Sequence, residues 1–153
     1  MKTEAMEPII STRSQVAGPP VILLVEDESM VREVTREVLR HAGYKVLECS
    51  SAKEALQLVR QHPGRIDLLL TDVVMPGMNG DDLARHLQLM QPGLIAVFMS
   101  GYAQNDITQK ISRTAAIHIQ KPFTMDILLS RIGEALRSSS ARDRLAALES
   151  LPA

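Results

Sequence analysis

Short apolar runs alternate with amphipathic segments along most of the chain. The first apolar run is Val21–Val25, and the segment Ser29–His41 after it carries apolar residues at helical spacing. The next unit repeats this order, because Tyr44–Glu48 is a strand candidate and Ser51 can cap a helix that ends at Pro63-Gly64. The pattern therefore predicts two strand–helix units in succession.

Three more strand candidates follow at similar spacing. The run Ile66–Thr71 leads into Asp72 and a turn at Met75–Gly80, after which Leu83–Met90 has a helical pattern. The remaining candidates are the strands Leu94–Met99 and Ala116–Gln120 and the helices Asn105–Arg113 and Met125–Arg137. Five short apolar strands separated by helices indicate right-handed βαβ crossovers. The sequence thus predicts a doubly wound α/β fold, with a five-stranded parallel sheet and helices on both faces.

Neither end of the chain continues this pattern. Residues 1–19 show no sustained period, so we interpret them as a flexible leader before a domain of residues 20–138. Three serines at 138–140 are expected to break the last helix, and Ala141–Glu149 is too short to form a stable helix alone. Residues 139–153 are therefore predicted to be a C-terminal tail or linker.

Composition narrows the class of protein. The 153 residues, 45% hydrophobic and 23% charged, suffice for one globular domain with tails. A formal net charge of −1 and the lack of a basic stripe argue against direct nucleic-acid binding. The lone Cys49 cannot form an internal disulfide, which suits a reducing cytosol. No apolar run approaches the ~18 residues of a membrane segment, and no export signal is visible, so a cytoplasmic location is expected.

Polar residues follow the predicted strands where each strand ends. The first strand leads into Glu26-Asp27-Glu28, the third into Asp72, the fourth into Ser100 and the fifth into Lys121. The carboxyl ends of parallel strands meet at one edge of an open sheet, where ligands bind. Carboxylates gathered there would raise one another's pKa unless a cation compensated, and such oxygen ligands suit Mg²⁺. The sequence therefore predicts a magnesium site.

A metal and a neighbouring lysine would let an aspartate act as a nucleophile toward phosphorus. Formation of an aspartyl phosphate depends mainly on charge neutralisation and in-line positioning. Asp72, on the central strand, is best placed for this role. Lys121 would pair with phosphoryl oxygens as a point charge, and Ser100 would donate its hydroxyl to them.

Four motifs carry a resemblance to a known family. They are Val25-Glu26-Asp27-Glu28, the run from Thr71-Asp72 to Asn79-Gly80, Met99-Ser100-Gly101-Tyr102 and Lys121-Pro122-Phe123. Each is weak alone, whereas their order and spacing together are highly specific. From Val21 to Arg137 the sequence resembles the response-regulator receiver family of two-component signalling. The resemblance implies a flavodoxin-like sheet with strand order 2-1-3-4-5.

The resemblance also implies a phosphoacceptor in a phosphorelay, a signalling receiver rather than a metabolic enzyme. Asp72 would take the phosphoryl group from the phosphohistidine of a sensor histidine kinase or a histidine phosphotransfer domain. Mg²⁺ would be held by Glu26, Asp27, Asp72 and the backbone carbonyl of Val74. Glu26 stands where many members have Asp; this keeps the charge and lengthens the arm, so we expect metal binding to survive.

Switching is implied at the last two strands. In the family that the chain resembles, Ser100 and Lys121 contact the phosphoryl group, and a cis bond before Pro122 aims the lysine. An aromatic residue on strand five then follows the hydroxyl inward. This chain has His118 at that switch position, which departs from the aromatic residue of the family. A pH-sensitive variant of the switch is therefore an alternative to the usual coupling. Tyr102 is either a gate over the site or an exposed loop aromatic.

Partners and motion follow from the same resemblance. The form Ser100-Gly101-Tyr102 is similar to receivers attached to hybrid sensor histidine kinases. Family members also form homodimers through the first helix or through the face of the fourth helix, which is predicted here at Asn105–Arg113. The residue pattern does not choose between these two surfaces. The stretch Ser100–Arg113 is predicted to move on phosphorylation, because its polar loop should be the least tightly packed part.

Other interpretations of these residues stand beside this one. The acids after strand one could simply favour a helix start, Asp72 could be a turn residue and Lys121 a surface lysine, although four strand ends in register argue against coincidence. A docking module that is never phosphorylated would be expected to lack one of these groups. A cofactor binder would need a phosphate loop after strand one, and a small phosphatase would need an acid at Val74.

Overall fold

Five parallel strands form one sheet in the order β2-β1-β3-β4-β5. The computed structural model describes residues 18–101 and 117–149 of the chain. The strands are β1 (Val21–Val25), β2 (Lys45–Cys49), β3 (Leu68–Asp72), β4 (Ile95–Ser100) and β5 (Ile117–Gln120). This arrangement confirms the predicted fold class and strand order, with small shifts in the bounds of every strand after β1.

A helix follows each of the strands β1, β2, β3 and β5. Within the described residues they are α1 (Ser29–His41), α2 (Ala52–Gln61), α3 (Gly80–Met90) and α4 (Met125–Glu149). The bounds of α1 are the predicted ones, and α2 begins directly after the predicted cap. The predicted helix at 105–113 and the residue Tyr102 lie outside the described part of the chain.

The sheet separates two apolar cores. Along β1, Ile22 and Leu24 belong to the core beneath α1 and α4, whereas Leu23 and Val25 belong to the core beneath α2 and α3. The helix residues that complete these cores are Leu39, Leu128, Ile132 and Ala135 on the first side and Ala52, Ala55, Val59, Leu83 and Leu87 on the second. Because successive side chains of a strand point to opposite faces, central strands covered on both faces contain continuous apolar runs.

Ser51 caps α2 from an extended backbone conformation, and its hydroxyl accepts from the Glu54 N–H at 3.1 Å. The change Ser51→Ala is expected to lower the free energy of unfolding by about 0.5–2 kcal/mol, because the Glu54 amide loses its acceptor. Urea denaturation measures this loss. Ser130→Ala, at an exposed position of α4, is the matched control, and an equal loss there would contradict the capping role.

Helix α4 runs without interruption from Met125 to Glu149, so the predicted break at residues 138–140 is wrong. Serine lowers helix propensity by only about 0.5 kcal/mol per residue, and unlike proline it keeps its backbone donor. Once the first turns are fixed by the burial of Leu128 and Ile132, extending the helix costs little. Among the described residues, no helix combines the length and apolar character that a membrane span requires.

Candidate functional site

The carboxyl ends of four strands bring the predicted site residues to one edge of the sheet. Glu26 follows β1, Asp72 ends the central strand β3, Ser100 ends β4 and Lys121 follows β5. The backbone N–H of Lys121 donates to the Ser100 carbonyl at 2.8 Å, which joins the last two of these strand ends. The topology alone therefore accounts for the gathering of residues far apart in sequence.

The Lys121 ammonium lies between two buried carboxylates. Its Nζ is 2.6 Å from Asp72 Oδ1 and 2.9 Å from Glu26 Oε1. Glu26 is 0% exposed and Asp72 is 5% exposed, and the second oxygen of Glu26 accepts from the Glu28 N–H at 3.2 Å. One ammonium cannot neutralise two carboxylates, so this pocket holds an excess of negative charge when both are ionised.

The pKa values of the two acids shift in opposite directions. Burial, and after it the neighbouring Glu26 carboxylate, raise the pKa of Asp72 to about 8 against the opposing effect of Lys121. Burial also raises the pKa of Glu26, but hydrogen bonds from Asp72, Lys121 and the Glu28 amide outweigh it and leave that pKa lowered. In the metal-free protein, sharing one proton between the two carboxyl groups is therefore favoured over ionising both.

The same acids form a candidate cation site. Glu26, Asp27 and Asp72 each offer a carboxylate oxygen, and these atoms lie within 4.8 Å of one another. Asp27 is exposed, so the group is open to solvent on one side. Oxygen donors with an uncompensated charge are what Mg²⁺ prefers, so the residues present fit this ion. The Val74 carbonyl, the other predicted ligand, stays a prediction.

The backbone around Asp72 is held closely by the start of α3. The Gly80 N–H donates to the Val73 carbonyl at 2.7 Å, and a Cβ at Gly80 would lie 2.1 Å from the Asp72 carbonyl oxygen. The Thr71 hydroxyl also donates to that oxygen at 3.1 Å. Glycine is thus required where α3 meets the strand. In the sequence, the only sign of this requirement was that Gly80 belongs to one of the four motifs.

The structure also describes the predicted residues of β5 and the peptide after it. The Lys121–Pro122 peptide bond is cis, as predicted. His118 lies opposite Phe98 of β4, with ring centroids 5.9 Å apart. Burial, followed by the charge of Arg131, lowers the pKa of His118 and so favours the neutral ring. A role of His118 in switching stays a prediction.

Sequence analysis did not single out Arg32 of α1. Its Nη1 donates to the backbone carbonyl of Glu26 at 2.7 Å, across six residues. Only its place one turn after the acidic motif hinted at this contact, because residue spacing does not tell which backbone carbonyl a long side chain reaches. The contact ties α1 to the loop that carries Glu26 and Asp27.

The part of the chain that contains these site residues is similar to known proteins. Residues 22–133 match the family model of the response regulator receiver domain. The chain is 34% identical over 133 residues to the sensor kinase CckA of Brucella abortus (strain 2308), covering 86% of this chain and 14% of that protein. It is 29% identical over 106 residues to sporulation initiation phosphotransferase F of Bacillus subtilis (strain 168), covering 69% of this chain and 84% of that protein.

Solved structures share the fold. The receiver domain of the hybrid histidine kinase CckA has a TM-score of 0.64 at 33% identity, covering 76% of this chain and 98% of that chain. A response regulator receiver domain protein from Clostridium thermocellum has a TM-score of 0.73 at 26% identity, covering 80% and 98%. The chain spans only 14% to 31% of the first three curated relatives that it matches. The activities of those whole proteins therefore do not transfer to it.

Proposed function

This chain belongs to the response regulator receiver domain family, and on that premise we propose that it accepts a phosphoryl group on Asp72 from a phosphohistidine of a partner protein. The observation that carries the proposal is the placement of Asp72. Asp72 is buried and ends the central strand. Its Oδ1 lies 2.6 Å from the Lys121 ammonium, and its carboxylate is grouped with those of Glu26 and Asp27.

In the proposed reaction an Asp72 carboxylate oxygen attacks phosphorus while the bond from phosphorus to the imidazole nitrogen breaks. The electron pair of that bond goes to the imidazole nitrogen, the ring leaves as neutral imidazole after taking up a proton from solvent, and the phosphoryl group stays on Asp72 as an acyl phosphate. The transferred oxygens carry negative charge, which Lys121 can pair with because its Nζ already lies beside Asp72. Ser100, buried at the end of β4, offers a hydroxyl donor to the same oxygens.

We propose that Mg²⁺ is bound by Glu26, Asp27, Asp72 and the Val74 carbonyl. Bound Mg²⁺ would neutralise charge on the phosphoryl oxygens, which a single ammonium cannot do alone. Two features support this assignment: the three carboxylates are grouped within 4.8 Å, and burial beside Glu26 raises the pKa of Asp72. With one ammonium, that of Lys121, beside them, these acids carry more negative than positive charge when they are all ionised.

The proposed phosphodonor is a sensor histidine kinase or a histidine phosphotransfer domain in the cytoplasm. It is supported by relatives whose names are sensor kinase and phosphotransferase. Modification of Asp72 would be transmitted through Ser100 and Lys121, which end β4 and follow β5, to a protein-binding surface on the side of the domain formed by β5 and the helices next to it. The chain would act as a switch whose only chemistry is its own phosphotransfer and dephosphorylation.

Incubation with acetyl phosphate and Mg²⁺ is expected to give one phosphoryl adduct in the wild-type protein and none in Asp72→Asn, because the amide is not a nucleophile. Intact mass spectrometry measures the adduct, and EDTA should prevent it. Asp67→Asn is the matched control. Asp67 precedes the same strand at its opposite end, where its carboxylate accepts from the Val21 N–H at 2.8 Å, so that variant should keep the adduct.

Two results would contradict the proposal. The first is an adduct of equal yield in Asp72→Asn. The second is a folded wild-type protein that binds Mg²⁺ yet neither forms the adduct nor binds beryllofluoride, a mimic of the phosphoryl group. That second result would favour a docking module whose acidic pocket only holds a cation.

A further inference from the structure

Arg32 connects helix α1 to the loop that carries two of the pocket's acids. Its Nη1 donates to the Glu26 backbone carbonyl at 2.7 Å, and its Nε lies 3.4 Å from Glu48 Oε1 at the neighbouring strand β2. The Arg32 side chain is only 20% exposed, so these contacts are partly shielded from water. A guanidinium can serve both acceptors because its donors point in fixed, separate directions.

The carbonyl that Arg32 binds belongs to the peptide unit between Glu26 and Asp27. On the other side of Glu26, its N–H donates to the Cys49 carbonyl at 3.1 Å. Because a peptide unit is planar, holding its carbonyl oxygen also fixes the direction in which the chain enters Asp27. This hydrogen bond therefore constrains the backbone from which both carboxylates extend.

We propose that Arg32 is a positioning residue for the acidic pocket, holding the Glu26–Asp27 peptide so that both carboxylates can bind one Mg²⁺ ion. The inference rests on the function proposed above for this pocket. Arg32 acts through the Glu26 backbone rather than through contact with the reacting atoms. Loss of a group that orients a metal ligand typically weakens metal binding by about 10–100-fold.

Arg36, one turn further along α1, provides a matched control. Its Nη1 lies 2.7 Å from Glu48 Oε2, and its Nε lies 3.2 Å from Glu37 Oε2. Arg36 thus pairs with the same Glu48 as Arg32 does, but these partners are side chains. Replacing either arginine by methionine removes one positive charge and one Glu48 pairing, and the Arg32 variant alone loses the bond to the Glu26 carbonyl.

The experiment compares the wild-type chain of 153 residues with Arg32→Met, Arg32→Lys and Arg36→Met. Calorimetric titration with Mg²⁺ is expected to show a Kd raised about 10-fold or more in Arg32→Met and close to wild type in Arg36→Met. Arg32→Lys should recover part of the affinity, because an ammonium can still donate to the carbonyl. In the metal-free protein, amide exchange at Glu28 should be faster in Arg32→Met only, since that amide donates to the Glu26 carboxylate.

The rate of modification by acetyl phosphate gives a further readout. In Arg32→Met the rate should fall at low Mg²⁺ and recover at saturating Mg²⁺, because the variant changes affinity and keeps the nucleophile. Equal Kd values for Arg32→Met and Arg36→Met, whether both raised or both unchanged, would overturn the inference. A wild-type chain that binds no Mg²⁺ would overturn it as well. Mg²⁺ binding without an adduct would instead overturn the phosphotransfer proposal alone, and the Kd comparison would still decide the role of Arg32.

Discussion

In metal-free buffer at pH 8, Asp72→Asn is expected to raise the free energy of unfolding by roughly 2–5 kcal/mol. Burial and the Glu26 carboxylate raise the pKa of Asp72 from 3.8 to about 8, so ionised Asp72 opposes folding. The asparagine removes that charge, and its Oδ1 can still accept from Lys121. Urea denaturation in EDTA at several pH values measures the difference, which should shrink when Mg²⁺ is added.

The pH dependence has a defined sign. Because the folded-state pKa of Asp72 is raised, the folded protein holds a proton that the unfolded chain releases, and stability is lost as the pH rises from near 3.8 to about 8. The lowered pKa of Glu26 acts oppositely: it contributes stability that is fully present above the ordinary pKa of 4.5 and is lost as the pH falls below that value. Between about pH 6 and pH 8 the decline is therefore due to Asp72. It should be absent in Asp72→Asn and present in Asp67→Asn. A variant Asp72→Asn less stable than the wild type at pH 8 would contradict the charge imbalance.

Gly80→Ala is expected to lower the free energy of unfolding by about 1–3 kcal/mol or more. It should also slow modification of Asp72. The new Cβ would lie 2.1 Å from the Asp72 carbonyl oxygen and 3.0 Å from its carbon. Both are backbone atoms, so the strand end or the start of α3 must shift, and Asp72 moves relative to Lys121. Denaturation and the rate of adduct formation at saturating Mg²⁺ measure the two effects.

Gly93→Ala is the control for this change. A Cβ at Gly93 meets nothing within 4 Å, so the same added methyl group should leave both stability and modification rate near the wild-type values. If Gly80→Ala kept the stability and the modification rate of the wild type, the start of α3 could not lie this close to the end of β3. Equal damage in both variants would trace the effect to the loss of glycine flexibility rather than to the contact with Asp72.

The strands were predictable because the sheet is covered on both faces. A buried central strand needs apolar residues at every position, so runs such as Val21–Val25 are distinctive in the sequence. Asp67 shows where this logic stops: the apolar run suggested a strand from Ile66, but β3 begins at Leu68. The Asp67 carboxylate instead accepts from the Val21 N–H at the start of the sheet.

The members of the acidic pocket were predictable from topology, since parallel strands end at a common edge. Their detailed arrangement was not. The bond from Arg32 to the Glu26 carbonyl joins a side chain to a backbone group, and the contact of Gly80 with Asp72 depends on where α3 starts. Neither leaves a periodic pattern in the sequence. The continuity of α4 was missed because three serines suggested a break that their small propensity cost does not cause.

The bond between Lys121 and Glu26 joins residues 95 positions apart. A chain that has been synthesised only through its first three strands already carries every acid of the pocket, but it lacks Lys121, the ammonium that lies beside both Glu26 and Asp72. The pocket is complete only when β5 has joined the sheet, because Lys121 directly follows that strand. Under the proposed function, only molecules in which β5 has joined the sheet would accept the phosphoryl group, and unfinished chains would not.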